Sequence, residues 1–461
     1  MKIRSNGSGF PLSVFLAFFL LFSLSVIIAQ EGGFADILDE VSGRLARREY
    51  SAALELFERL PEEEANKIEV RIIRASILNA AGRINEARQI ANAIIAVDAR
   101  NTDALMILAD AAAIEGRDRD RRTFLDRVIG IDPANVRALN DLGNINLGNQ
   151  NLRSAAGYFD RALAADPNNG DALLGRAAVY RYNREPVSAE RLINQAVSLY
   201  PTWAAPLQER ARLYRGAGFY TDALEDLNFA LRLEPDNYWI LVDHGAVLMD
   251  MGHKREALAS FNRAIEVGPD IFMAYVYSAG IKDELGDYAG AEHDYIMLSR
   301  LRPDYYFAFE AIGVIRMRNQ EWELARDAFL DAYRQAPTEF SYAILASICW
   351  MRAGRTTDPR TFLAQVLRTA PRDSLDYAML RMFHDLSGEI DLSRRVESEV
   401  NIYTKSRMLF YLASYFDITG SRTLAERYYL MVQELDAYAS IEWRLNEIAL
   451  EERGLGIRSG Q

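Results

Sequence analysis

Cysteine is nearly absent from this chain: Cys349 stands alone among 461 residues, so no disulfide framework can staple it from within. Histidine is almost as scarce. His244, His253, His293 and His384 form no HExxH motif, no cluster with the cysteine and no metal-ligand spacing, so no metal or other cofactor is expected. There is no GxxxxGK[ST], no GxSxG and no glycine-rich loop following a strand, and no catalytic residue is assigned. Lysine is confined to Lys2, Lys67, Lys254, Lys282 and Lys405, and the formal net charge is −12. That balance argues against nucleic acid and anionic membrane surfaces as partners. Long apolar runs are missing as well, with one exception.

The exception is LSVFLAFFLLFSLSVIIA, Leu12 to Ala29, which follows Lys2 and Arg4 and precedes the polar stretch Gln30-Glu31-Gly32-Gly33. A basic start, an uncharged core and a small residue at the end are the layout of a secretory signal cleaved after Ala29. The run is also long enough to span a bilayer, so residues 1–29 are either a signal peptide or a retained membrane anchor. Both readings place Phe34 onward outside the cytoplasm, in the periplasm or cell envelope. Any membrane contact would then go through this segment.

Proline is sparse too, and its placement is the chain's main signal. Eight of the 13 prolines, Pro133, Pro167, Pro201, Pro235, Pro269, Pro303, Pro337 and Pro371, recur at a spacing of 34 residues. On the same grid lie Ala155, Ala189, Ala223, Ala257, Ala291 and Ala325, with Ala53 and Ala87 upstream. A second small-residue column runs Ala75, Ala109, Gly143, Ala177, Ala211, Gly245, Ala279, Gly313, Ser347. Glycines recur at Gly82, Gly116, Gly218, Gly252, Gly286 and Gly354, and large residues at Phe159, Leu227, Phe261, Tyr295 and Phe329. This is a helical hairpin written repeatedly. The mid-repeat glycine ends the first helix, and the proline ends the second. The Asn and Asp residues near it suit the next N-cap. Small residues let the two helices approach, and the large one fills the groove between them. A lone hairpin cannot bury its apolar face, whereas stacked hairpins can.

The period and its alanine, large-residue and proline columns resemble the tetratricopeptide repeat family. Leu105, Leu139, Leu173, Leu207, Leu241, Tyr275 and Phe309 stand where that family carries tryptophan. The resemblance implies an all-α solenoid of about twelve antiparallel hairpins. Ten units are expected over 34–373, a degenerate repeat over 374–405 and a further unit over 406–439. A capping helix with a charged outer face and a tail should fill 440–461. Pro61 should stop the first unit's second helix early, and Asp358-Pro359 should delay the tenth unit's.

The same resemblance implies that first helices line a concave face and that the function is non-catalytic binding of a protein or peptide. Candidate binding residues on it are Asn140, Asn144, Arg181, Arg212 and Arg215, expected to form a positive, amide-lined channel for an acidic or C-terminal peptide. Trp239, Tyr277 and Phe307 are candidates for holding an apolar segment. The family's carboxylate clamp is matched only in part by Asn140 and Asn144, because Ala205 and Glu209 occupy its later positions. A structural or adhesive envelope protein using its outer face is the alternative.

Overall fold

First helices start where the grid places them, because a cap and a stop recur every 34 residues. A computed structural model describes residues 34–435, 437–438 and 440–455, and among these there are helices and no strands. The export segment expected over 1–29 lies outside the described residues. No helix among the described residues is long and apolar enough to cross a membrane.

The chain is an all-α repeat solenoid whose contacts divide it into two compact units, with the boundary between Ala257 and Leu258. In the first unit, first helices Ile68–Ala80, Thr102–Ile114, Val136–Gly148, Gly170–Tyr182, Ala204–Gly216 and Tyr238–Asp250 alternate with second helices. Those second helices are Ile84–Val97, Asp118–Ile131, Leu152–Ala165, Pro186–Leu199 and Tyr220–Leu233. Asn101, Asn135, Asn169 and Asn237 each cap the following helix, their side chains accepting from Ala104, Ala138, Ala172 and Ile240 backbone N–H groups. The turn inside each hairpin takes a left-handed residue. Gly82 and Gly116 supply it cheaply, while Arg48, Gln150 and Arg184 take the same positive φ despite their side chains.

The grid residues form the core. Ala155, Ala189, Ala223 and Phe159 are fully buried, as the close approach of two helices requires. The first unit opens with Phe34–Ala46 and Tyr50–Phe57, the latter ending ahead of Pro61, after which Glu62–Ala65 adds one turn.

The second unit continues with hairpins Phe272–Glu284/Tyr288–Leu301 and Tyr306–Arg318/Trp322–Gln335, then Phe340–Arg352/Thr357–Val366. Here the structure refines one expectation. Asp358-Pro359 delays the helix by a single residue only, to Thr357; Pro359 sits in its first turn, where a missing N–H costs nothing, and the helix ends early at Val366. The degenerate stretch folds as Leu375–Asp385 and Glu389–Glu397, joined through left-handed Leu386 and Gly388. Ile402–Ile418, starting ahead of the expected 406, pairs with Arg422–Gln433, and Ile441–Glu452 follows.

This last helix departs furthest from expectation. It does not present a charged outer face along its length: Glu442, Trp443, Leu445, Asn446, Ile448 and Leu450 are all buried. Burial around most of its circumference makes it a core helix, not an amphipathic lid. It packs on Ile402–Ile418 and Arg422–Gln433, and also reaches back to Tyr306–Arg318. Arg444 pairs with Asp283, and Arg318 donates to Glu451 at 3.2 Å.

Candidate functional site

Within the first unit, first helices pack on first helices of the neighbouring hairpins (Val136–Gly148 on Gly170–Tyr182, and that helix on Ala204–Gly216), which makes them the inner wall. Residues three and four apart on each first helix therefore share the exposed part of that wall.

The candidates sort by burial. Asn140 is buried, and its Nδ2 donates at 2.9 Å to Asn169 Oδ1, the oxygen that caps the next helix. It braces a joint. Asn144, one turn on, is exposed. Arg181 lies 3.9 Å from Glu209 and over the ring of Tyr182 at 5.0 Å. Arg212 is held between Glu209, at 2.5 Å, and Asp243, at 2.8 Å. Arg215 donates to Asp250 at 2.5 Å. Two further inner-wall charges are matched likewise, Arg137 with Asp110 at 2.7 Å and Asp141 with Arg121 at 2.9 Å. The expected positive channel is therefore corrected: the arginines lie in a ladder of alternating charges. Burial opposes the charge on Arg212, but Asp243 and Glu209 more than offset it and hold the guanidinium protonated. Lone residues were legible in the sequence, but their partners one repeat away were not.

The aromatic candidates divide too. Trp239, in the first unit, meets Tyr238 edge-on at 5.0 Å. In the second unit Tyr277 stacks on buried Phe261 at 4.8 Å, extending the core. Phe307 is different: it is 49% exposed and stacks on Tyr306 at 4.2 Å.

Phe307 lines an open cavity of about 380 Å³ together with Tyr295, Tyr305, Glu310, Ala311, Val314, Ile441 and Arg444. Phe307, Glu310, Ala311 and Val314 lie at successive steps of three, one and three residues, the spacing of a single helix face. Glu310 accepts from the Tyr342 hydroxyl at 2.5 Å, and burial pushes its carboxyl above the usual range. Burial, reinforced by the nearby charge of Asp283, raises the Tyr295 hydroxyl strongly, so it stays a neutral donor. Glu310 lies on a first helix and so was within reach of the repeat grid. Ile441 and Arg444 were not, since no periodicity links the last helix to this site.

A tetratricopeptide repeat family model matches residues 140–202, 242–296 and 281–340. None of the curated proteins matches the chain by sequence. A tetratricopeptide repeat protein from Parabacteroides merdae is 18% identical with a TM-score of 0.43, covering 54% of this chain and 98% of its own. Pseudomonas aeruginosa pilF is 20% identical with a TM-score of 0.40, covering 46% of this chain and 96% of its own. A chain of the Cut9–Hcn1 hetero-tetramer of APC/C is 17% identical with a TM-score of 0.49, the match covering 70% of this chain and 63% of that one. The fold is of the kind that serves as a protein–protein interaction scaffold. The 34-residue hairpin grid and the family match over these three stretches together support a tetratricopeptide repeat assignment for the chain.

Proposed function

We propose that the chain is an exported, non-catalytic scaffold that holds a peptide or protein partner against the inner wall of its first helices. The observation that carries the reading is the cavity in the second unit, where first-helix residues Phe307, Glu310, Ala311 and Val314 leave about 380 Å³ open. Concave, mostly apolar space with a few convergent polar groups is where ligands are held. Export rests on Lys2, Arg4 and the uncharged run that follows.

One experiment tests the binding face. A photo-crosslinking residue is placed at exposed Asn144 or Phe307, on first helices, and separately at Val187, which is 79% exposed on a second helix. Capture of one partner in cells from 144 and 307, and not from 187, is the expected result. Capture only from 187 would favour the outer-face, adhesive alternative. Fractionation with sequencing of the mature N-terminus tests export, and full-length protein in the soluble cytoplasm would refute it. Reversing Arg212 and Arg215 to glutamate is a poor probe here, since each would set a carboxylate against Asp243, Glu209 or Asp250 and disturb the fold as well.

A further inference from the structure

The cavity's charge inventory narrows what it can hold. Of its two charged residues, Arg444 is matched by Asp283. Among the described residues Glu310 enters no ion pair; one carboxylate oxygen accepts from the Tyr342 hydroxyl, and of the charges acting on it from further away Glu442 and Glu339 oppose its ionisation while Arg444 favours it. A half-buried carboxylate without a bonded counter-charge, and with two further carboxylates acting on it, is unfavourable, and an incoming cation relieves it. An anion would aggravate it.

The walls supply the rest. Tyr295, Tyr305 and Phe307 give three aromatic rings, with Tyr305 and Phe307 centroids 5.7 Å apart and their planes at 57°. Ring faces attract ammonium and guanidinium groups, and Ala311 and Val314 suit an aliphatic stem. The surroundings already use this chemistry: Arg302 lies over the Phe272 ring at 5.4 Å, and Phe272 packs on Tyr305 at 5.8 Å. The chain's own Arg444, on Asp283 beside the same cavity, shows a guanidinium accommodated there.

The geometry points to a subsite for one basic side chain of a peptide partner, its cation on Glu310 and its stem between Tyr305, Phe307 and Val314. This deepens the groove-binding reading and rests on it for the source of the side chain.

The test uses the full chain and two small probes, N-acetylarginine methylamide and its neutral isostere N-acetylcitrulline methylamide, with binding followed by ligand-observed NMR. The arginine probe should bind saturably and the citrulline probe on the order of tenfold more weakly, as loss of a charge-assisted bond requires. Glu310→Gln should reduce the arginine probe to the citrulline level. Phe307→Ala, at a position 49% exposed, should weaken it roughly threefold. This second variant decides the matter if Glu310→Gln fails to fold by circular dichroism. Equal binding of the two probes, no saturable binding, or arginine binding unchanged in the variants would overturn the subsite. Because the probes are single residues, the result is independent of whether any partner is captured in cells. A pocket that binds with no partner found would sink the scaffold reading alone.

Discussion

Phe159 shows how much of this fold is decided atom by atom. Its buried ring lies where a Cβ added at Gly143 would come within 2.6 Å, and one at Gly175 within 2.3 Å. Two glycines from successive first helices thus make room for one aromatic ring. Alanine is the better helix former by about 1 kcal/mol, so propensity alone predicts that Gly175→Ala stabilises. Overpacking a fixed ring should win, and we expect a net loss of about 1–3 kcal/mol in urea denaturation. A more stable variant would show that Phe159 can move aside. Ala223→Phe should cost a similar ~1–3 kcal/mol, because Ala223 is fully buried where two helices touch. The opposite sign is expected at Gln150, which holds φ at 59°: Gln150→Gly should stabilise by about 1 kcal/mol. Gly143 was legible from its column of small residues. Gly175 was not, since the ring that needs it belongs to the preceding hairpin and a column records only one hairpin's needs.

Among the elements, the last helix shows where sequence reading stops. Its position after Ser440 and its length could be read from the pattern; its surroundings could not. Glu442 looks like a solvent-facing charge but is buried, accepting from the Tyr411 hydroxyl, whose helix also carries Arg407, a donor to Ser341 and Asp376. Burial raises the Glu442 carboxyl above its ordinary value, against the pull of Tyr411 and Arg407. The folded state therefore takes up this proton more readily than the unfolded chain. Stability from it is gained as pH falls through the raised value toward the ordinary glutamate value of about 4.3, and is lost as pH rises. Asp417 acts in the other direction. Burial opposes its charge, but a hydrogen bond from Arg453 and the nearby Arg352 outweigh burial and lower it, so its contribution is lost only as pH falls through that lowered value. Glu442→Gln should consequently lose the gain on mild acidification while keeping the collapse in stronger acid. Melting temperatures of both proteins across pH would show the wild type gaining on the variant from neutral toward pH ~5. A difference independent of pH would mean that Glu442 holds its proton no more tightly in the folded chain than in the unfolded one.

At the scale of the whole molecule, the two units are wired differently, and that should appear in how each opens. In the first unit the contacts run from one hairpin to the next, as between Arg137 and Asp110 or Arg212 and Asp243. Such an array behaves as a chain of nearest neighbours, so local damage stays local. In the second unit the last helix closes a far longer loop: Arg444 bonds Asp283 across 161 residues, and Arg318 bonds Glu451 across 133. Regular repeats cannot announce such a closure, since nothing in a 34-residue period distinguishes a run that ends openly from one whose end returns to its own wall. If the closure carries stability, Arg444→Ala leaves half-buried Asp283 without its partner, and because the Arg444 side chain is 37% exposed the cost should fall below the figure of about 3–5 kcal/mol for a fully buried pair. Native-state hydrogen exchange should then show faster opening in Phe272–Glu284 together with Ile441–Glu452, two segments far apart in sequence. Gly175→Ala, by contrast, should speed exchange in the helices around Phe159 while leaving Tyr50–Phe57 as protected as before. Loss confined to the last helix in Arg444→Ala would reduce the closing contact to a surface pairing and leave the second unit as local in its energetics as the first.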